Sequence, residues 1–168
     1  MVIDGDIMKI TGKVHLFGDD IDTDAIIPGA YLKTTDEYEL ASHCMAGIDE
    51  DFPEMVEEGD FLVAGENFGC GSSREQAPIA IKYCGIKAII VESFARIFYR
   101  NCINLGVFPI ECKGISKHVK DGDLIELDLE NKKVILKDTV LNCLLPTGTA
   151  KDIMDEGGLI NYAKKHKN

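Results

Sequence analysis

The sequence of 168 residues contains no tryptophan and no long apolar run. No stretch approaches the ~18–20 apolar residues that span a bilayer. Residues 1–10 also lack the apolar core of a signal peptide, because Asp, Gly and Lys interrupt their apolar side chains. We therefore expect a cytoplasmic protein with no membrane partner.

Positive charge is scarce as well. With 29 acidic residues against 18 basic ones, the formal net charge is −11 at pH 7. Nucleic acids and anionic membranes bind cationic surfaces, so the composition disfavours both as partners. An acidic substrate would need a local cationic site, and the arginines, Arg74, Arg96 and Arg100, all fall in one central stretch. Arginine suits this task because its planar group makes two-pronged contacts with carboxylates.

Closely spaced cysteine pairs are absent too. No two of the six cysteines are separated by only two residues, the spacing typical of zinc ribbons and ferredoxin-like clusters. We therefore predict free thiols and no metal site in this chain. A cluster assembled from cysteines far apart in sequence stays open as an alternative. The six residues are Cys44, Cys70, Cys84, Cys102, Cys112 and Cys143.

The apolar pattern is that of one α/β domain. We predict this domain over residues 9–168, preceded by an N-terminal extension over residues 1–8. Apolar and polar residues alternate over residues 9–17, which predicts a strand. Over residues 60–112 the pattern runs strand, loop, helix, strand, helix, strand, the order of a parallel sheet with crossover helices.

Secondary structure is also predicted for several shorter segments. Residues 25–28 are predicted to be extended, and residues 31–52 form a weakly patterned segment of a kind that is usually functional or mobile. Ser93 is predicted to cap the helix over residues 94–105. The C-terminal part is predicted to contain antiparallel strands over 124–129, 132–137 and 140–145, a short helix over 150–156 and a lysine-rich tail.

A glycine-rich loop over residues 65–74 follows a predicted strand and opens a predicted helix. Unpaired N–H groups and the helix dipole attract anions at such a position. The loop is not a dinucleotide fingerprint, since Arg74 stands where the third glycine belongs, and it matches neither a P-loop nor a nucleophile elbow. Spacing alone leaves an anion site and a simple helix cap equally open, because Ser72 and Glu75 match a capping box. The three glycines, and an arginine in the first helical turn, favour the anion site.

An acidic run over residues 19–24 precedes the weakly patterned segment. Asp20, Asp22 and Asp24 match the first three ligand positions of a calcium loop. The match then fails, since Ala25 replaces the required glycine. We predict either a solvated turn or an acid that orients a substrate or a catalytic group.

Arg96 and Arg100 lie one turn apart on a predicted helix and so share a face. We expect them to form structural ion pairs. The histidines show no ligand spacing, and no role is assigned to them. They are His15, His43, His118 and His166.

Four segments together resemble a known family, the small subunits of 3-isopropylmalate dehydratase. They are Asp22-Thr23-Asp24, Tyr31-Leu32, the run from Asn67 to Glu75 and the run from Ser93 to Asn101. The similarity extends from about Lys9 to the C-terminus. This family in turn resembles the swivelling C-terminal domain of aconitase.

The resemblance implies a fold, a partner and a reaction. The fold would be α/β, a swivelling β/β/α domain of the aconitase C-terminal type, with a mixed sheet and crossover helices. The partner would be a separate large subunit that carries a [4Fe–4S] cluster, so no cofactor is expected in this chain. The enzyme would be a hydro-lyase that converts 2-isopropylmalate to 3-isopropylmalate in leucine biosynthesis, and it would be active only as a heteromer.

The resemblance also assigns roles to residues. The first serine of the family's Gly-Ser-Ser-Arg motif is the general base, which places that role on Ser72. A hydroxyl is a very weak base, so it can act only as an alkoxide held by N–H donors and positive charge. Ser73 and Arg74 match residues that bind the substrate carboxylate, and Asp24 matches an acid near the active site. The loop that reads the variable group of the substrate corresponds to Tyr31, Leu32, Lys33 and Thr34, with Lys33 and Thr34 expected to contact the substrate.

Several alternatives stay open. Gln76 stands where the family more often has histidine, so no role is assigned to it. Lys33 would suit the extra carboxylate of a homoaconitase substrate, but such loops also occur with isopropylmalate. Citraconate and dimethylmalate are further candidate substrates. A non-enzymatic alternative is a stand-alone carboxylate-binding module, in which Ser72 to Arg74 cap the ligand.

Overall fold

Seven β-strands form a mixed sheet in the computed structural model, which describes residues 9–167. The extension predicted over residues 1–8 lies outside these residues, and the division into one domain over 9–168 stays a prediction. The strands are β1 (Lys9–Leu16), β2 (Phe61–Ala64), β3 (Ala88–Val91), β4 (Phe108–Glu111), β5 (Leu124–Asp128), β6 (Lys133–Ile135) and β7 (Val140–Asn142).

Short helices connect and flank these strands. A 3₁₀ turn over Gly29–Tyr31 accompanies the α-helices. The α-helices of the described chain are α1 (Thr23–Ile26), α2 (Glu37–Ala41), α3 (Phe52–Met55), α4 (Gln76–Cys84), α5 (Arg96–Leu105), α6 (Ile115–His118), α7 (Gly148–Asp155) and α8 (Leu159–Lys165). None of the helices within residues 9–167 is both long and apolar enough to cross a membrane.

The strand order across the sheet is β4-β3-β2-β1-β5-β6-β7. Strands β1 to β4 are parallel, and α4 and α5 supply the crossovers from β2 to β3 and from β3 to β4. Strands β5 to β7 extend the sheet as an antiparallel meander. The predicted mixed sheet with crossover helices is therefore confirmed.

The two central strands are buried on both faces. All four residues of β2 and of β3 are buried, as expected for parallel strands covered on each side. Leu62 and Ile89 pack with the helices in one apolar cluster. Phe61 and Ile90 pack in a second cluster on the other face, together with apolar residues of the meander. Packing in these two clusters holds the parallel strands in place, and with them the sheet edge that carries the glycine-rich loop.

Three connections meet at the carboxyl edge of the parallel strands. Gly65, which follows β2, donates its N–H to the carbonyl of Gly18, which lies beyond β1, at 3.0 Å. Phe68 donates its N–H to the carbonyl of Ser93, which follows β3, at 3.0 Å. Ligands of open α/β sheets bind outside this edge, so a functional site is expected here.

Several local predictions need correction. Residues 25–28 are not simply extended, because Asp22 caps a short helix by accepting the N–H of Ala25 at 2.7 Å. Ser93 does not cap the next helix, since its hydroxyl accepts the N–H of Asn67 at 2.9 Å and α5 begins three residues later. The capping box at Ser72 is not formed, because α4 begins after Glu75 without a side-chain cap.

The C-terminal part largely matches its prediction. The three antiparallel strands are confirmed, each shorter than its apolar pattern. The short helix predicted over 150–156 is present as α7. The lysine-rich tail holds a further helix, α8, which was not predicted because apolar residues at its start give way to lysines.

Candidate active site

The glycine-rich loop is fixed against the acidic run by backbone hydrogen bonds. Gly69 donates its N–H to the carbonyl of Ile21 at 2.8 Å, and Thr23 donates its N–H to the carbonyl of Cys70 at 2.9 Å. Gly69 has φ +84°, and a Cβ there would lie 2.1 Å from Cγ of Phe98. Glycine is therefore required at this position both by its backbone angle and by the close approach of the ring.

Ser72 lies at the exposed tip of this loop, next to a buried threonine. The Thr23 hydroxyl donates to the carbonyl of Ser72 at 3.0 Å and lies 3.3 Å from the Ser72 hydroxyl. Thr23 is only 2% exposed, so its side chain is held firmly. Within residues 9–167, the backbone N–H groups of Ser72 and Ser73 donate no hydrogen bond. These two N–H groups can therefore donate to an anion at this exposed tip.

The side chain of Arg74 is held by two contacts, and its backbone N–H donates to the carbonyl of Ser72 at 3.0 Å. Its Nη1 donates to Oδ1 of Asp24 and to the carbonyl of Ile27, each at 3.1 Å. The same Asp24 oxygen accepts the N–H of Gly29 at 3.2 Å. The predicted site residues Ser72, Arg74 and Asp24 are therefore brought together, with Asp24 contacting the arginine.

The predicted specificity loop starts from this network. It leaves the 3₁₀ turn that Gly29 opens, and its first residue, Tyr31, stacks on His43 with ring centroids 3.7 Å apart and planes within 5°. Thr34 accepts the N–H of Asp36 through its hydroxyl at 3.0 Å. Lys33 is exposed, whereas Leu32 is half-buried against the core. The loop thus has anchored ends and an exposed lysine between them.

Negative charge surrounds the glycine-rich loop. Burial raises the pKa of the Cys70 thiol, and the carboxylates of Asp22 and Asp20 raise it further. These carboxylates would also oppose an alkoxide on neighbouring Ser72. Within the described chain, Arg74 is the cation that contacts this network through a hydrogen bond. An alkoxide on Ser72 would therefore need positive charge beyond that of Arg74.

Sequence reasoning missed two residues of this site. Thr23 was included in the motif Asp22-Thr23-Asp24, but its polar side chain, buried beside the loop, was not foreseen. His43 showed no ligand spacing, and its stacking on Tyr31 depends on the fold of residues 31–52. For Thr23 the sequence did contain one indication, because its uncharged hydroxyl lies between two carboxylates. Asp22 caps α1 and Asp24 pairs with Arg74.

Two other predictions concern the remaining polar residues. Gln76 is the first residue of α4 and is half-buried. Arg96 and Arg100 were expected to form ion pairs, but both are exposed and neither takes part in the ion pairs of residues 9–167. The expectation of structural ion pairs was therefore wrong for residues 9–167, and the nearby carboxylate of Glu111 instead accepts the N–H of Phe94 at 3.2 Å.

An iron–sulfur cluster does not fit the cysteines of the described residues. No group of three or more His, Cys, Asp or Glu side chains in residues 9–167 is placed to hold a metal ion. Burial raises the pKa of Cys112 to about 12 and that of Cys143 to about 11, which works against the thiolates that a cluster requires. All six cysteines are free thiols, and Cys44, Cys102, Cys112 and Cys143 are buried.

Comparison with known proteins places the fold and the loop in the aconitase class. The Aconitase C-terminal domain family matches residues 45–114. The methanogen homoaconitase small subunit of Methanocaldococcus jannaschii is 62% identical, over 95% of this chain and 94% of that protein. The 3-isopropylmalate dehydratase small subunit of Halothermothrix orenii is 48% identical, over 94% of this chain and 96% of that protein.

A solved structure agrees with these relatives. The crystal structure of a 3-isopropylmalate dehydratase from Methanocaldococcus jannaschii superposes with a TM-score of 0.91 at 62% identity, covering 95% of this chain and 96% of that one. The chain therefore belongs to the family of 3-isopropylmalate dehydratase small subunits, within which homoaconitase small subunits also fall. The two matches at 62% identity carry the names of different substrates, so identity alone does not choose between them.

Proposed function

We propose that this chain is the small subunit of a hydro-lyase that isomerises 2-isopropylmalate to 3-isopropylmalate, in leucine biosynthesis, together with a separate large subunit. The observation that carries this proposal is the exposed loop on which the N–H of Arg74 donates to the carbonyl of Ser72 at 3.0 Å, while Asp24 fixes the guanidinium of Arg74 at 3.1 Å. Loss of a carbon-bound proton to Ser72 and loss of the substrate's hydroxide would leave a double bond. Addition of water in the opposite sense would then give the isomer. The cytoplasmic location expected from the N-terminal sequence stays a prediction.

The chain would supply the base, and Arg74 would hold a substrate carboxylate. Arg74 uses Nη1 for Asp24 and Ile27, which leaves its other N–H groups for a two-pronged carboxylate contact. Ser73 would add a hydroxyl or its N–H to the same carboxylate. When Ser72 is deprotonated, Thr23 can turn its hydroxyl from the Ser72 carbonyl to the Ser72 oxygen, which lies 3.3 Å away.

The same geometry indicates that the site is incomplete without a partner. An alkoxide needs positive charge, and the carboxylates of Asp20 and Asp22 near the loop oppose it. A large subunit closing over Ser72 would supply the missing charge and exclude water. The [4Fe–4S] cluster that the family implies is proposed to lie on that subunit.

Reconstitution tests the proposal. The isolated chain should show neither cluster absorbance nor turnover, and adding the cluster-loaded large subunit from the same genome should restore turnover. Ser72→Ala should abolish turnover while binding the large subunit as tightly as the unmodified chain. Near-normal rates for Ser72→Ala would rule out Ser72 as the base. Micromolar binding of small dicarboxylates by the isolated chain, measured by calorimetry, would instead favour a stand-alone carboxylate-binding module.

A second candidate substrate is a homocitrate-type tricarboxylate. Lys33 favours it, because an exposed ammonium in the loop that reads the variable group suits a carboxylate better than an isopropyl group. The reconstituted enzyme should be assayed on 2-isopropylmalate, homocitrate-type tricarboxylates, citraconate and dimethylmalate. If Lys33 binds a third carboxylate, kcat/KM should be highest for the tricarboxylate and Lys33→Val should lower it selectively. A higher kcat/KM on 2-isopropylmalate would leave isopropylmalate as the substrate, and an unchanged preference in Lys33→Val would show that Lys33 does not bind the third carboxylate.

A further inference from the structure

Helix α5 presents two arginines and an isoleucine to solvent. Ile97 is 54% exposed, and Arg96 and Arg100 are exposed on either side of it. Neither arginine takes part in the ion pairs found within residues 9–167. The chain carries a net charge of −11, so two exposed guanidinium groups without such a pair stand out from the rest of its surface. We call Arg96, Ile97 and Arg100 the α5 face.

A groove runs beside the α5 face, between α5 and α7. Its cavity has a volume of about 500 Å³ and combines apolar walls with the two guanidinium groups. Phe94 and Ile153 supply apolar surface from the two sides. Among residues 9–167, Glu111 is the one acid that lines the cavity, and its carboxylate accepts the N–H of Phe94 at 3.2 Å. The walls of the groove are therefore largely apolar, and Arg96 and Arg100 make its rim cationic.

The α5 face lies at the same sheet edge as Ser72. The segment before α5 is hydrogen bonded to the glycine-rich loop, with Ala95 donating its N–H to the carbonyl of Phe68 at 2.9 Å. In the first turn of the same helix, Phe98 packs against Gly69 of that loop. A subunit that closes over Ser72 must approach this edge and would meet the α5 face next.

We propose that the α5 face and its groove dock the large subunit. Asp or Glu side chains of that subunit would pair with Arg96 and Arg100, and an apolar side chain would cover Ile97. Arginine at such positions forms two-pronged contacts with carboxylates and is enriched in protein interfaces. A second copy of this chain is a poorer occupant, because two molecules of net charge −11 repel each other. This inference rests on the proposed function, which names the large subunit as the partner.

Charge reversal tests the docking surface. The double variant R96E/R100E should bind the purified, cluster-loaded large subunit at least about 100-fold more weakly, since like charges replace paired ones. The affinity of the unmodified chain should fall with added salt, and the variant should lose most of that dependence. Kd is measured by calorimetry at two salt concentrations. Circular dichroism and thermal unfolding check the fold, and R96Q/R100Q gives a milder change at the same exposed positions.

A matched control reverses two charges at the opposite edge of the sheet. Lys9 begins β1 and Lys87 precedes β3, both are exposed and neither lines the groove. The variant K9E/K87E makes the same change of net charge and should bind within about 3-fold of the unmodified chain. Equal weakening by both double variants would show a non-specific charge effect and overturn the docking surface.

The outcomes separate this inference from the proposed function. If the unmodified chain neither binds nor activates the large subunit, the proposed function fails. If the unmodified chain binds and R96E/R100E or R96Q/R100Q binds equally well, only the docking surface is wrong. Loss of self-association in R96E/R100E, with large-subunit binding unchanged, would assign the face to a second copy and would also contradict the proposal.

Discussion

Arg74 and Asp24 form an ion pair across the candidate site, with Nη1 of the arginine 3.1 Å from Oδ1 of the aspartate. The same oxygen accepts the N–H of Gly29, where the 3₁₀ turn begins. Asp24 therefore joins the loop that carries Ser72 to the start of the predicted specificity loop. The Asp24 side chain is 67% exposed, and exposed ion pairs contribute at most about 1 kcal/mol to stability. The pair orients the arginine rather than stabilising the fold.

The first prediction concerns this pair. Arg74→Lys should lower kcat/KM of the reconstituted enzyme at least about 100-fold, because an ammonium cannot make the two-pronged carboxylate contact. Asp24→Asn should lower it about 10-fold, since the amide oxygen can still accept from Gly29 while the charge that holds Arg74 is lost. Steady-state kinetics check both variants, with Glu54→Gln on α3 as a control that removes an exposed charge elsewhere. Full activity of Arg74→Lys would exclude a guanidinium-specific role.

The second prediction concerns Thr23. Thr23→Val keeps the shape of the buried side chain but removes the hydroxyl that contacts Ser72. We expect kcat to fall about 10–100-fold with KM little changed, which corresponds to the loss of one buried hydrogen bond of about 1–3 kcal/mol. Thr23→Ser should recover most of the rate because it restores the hydroxyl. A fall in thermal stability without any change in kcat would show that Thr23 serves only the fold.

The third prediction concerns Gly69. Gly69→Ala should destabilise the chain by about 3 kcal/mol or more, because φ is +84° and the new Cβ would lie 2.1 Å from the ring of Phe98. Gly18→Ala is the matched control, since a Cβ there meets nothing within 4 Å, and it should change stability by less than about 1 kcal/mol. Urea unfolding of the isolated chain measures both. Equal effects at the two positions would contradict the assigned strain.

The sequence predicted the fold best where local pattern and burial agree. Residues 60–112 contain short apolar strands and helices that end at glycines, and Gly85 and Gly106 do end α4 and α5 in left-handed conformation. The alternating pattern over residues 9–17 likewise gave β1 to within one residue. The motif around Ser72 indicated which loop carries the site. In these regions the secondary-structure preference of each residue agrees with that of its neighbours and with the packing of the folded chain.

Prediction failed where tertiary contacts decide the local structure. The helix at Thr23–Ile26 depends on Asp22 as a cap and on backbone bonds to the distant residues Met45 and Gly47. Ser93 looked like a helix cap, but its hydroxyl accepts the N–H of Asn67 from another loop. Such partners lie well outside the same helical turn or strand, so no local pattern records them. The stacking of Tyr31 on His43 belongs to the same class.

The last prediction concerns the order in which the thiols react. A hydrogen bond with Cys44 lowers the pKa of the half-buried Cys84, whereas burial and then the carboxylates of Asp22 and Asp20 raise that of Cys70. Because the thiolate is the reactive form, Cys84 should be alkylated first by iodoacetamide at pH 8, and Cys70 more slowly.

The four remaining cysteines of the described chain should react only after unfolding. Burial raises the pKa of each of them, to about 12 for Cys112 and about 11 for Cys143. Peptide mass spectrometry over a time course gives the order, and Cys84→Ser should remove the fast phase without altering the others. Rapid labelling of Cys112 in the folded chain would contradict the buried environment that the second core gives it, and with it the packing of the meander against the parallel strands.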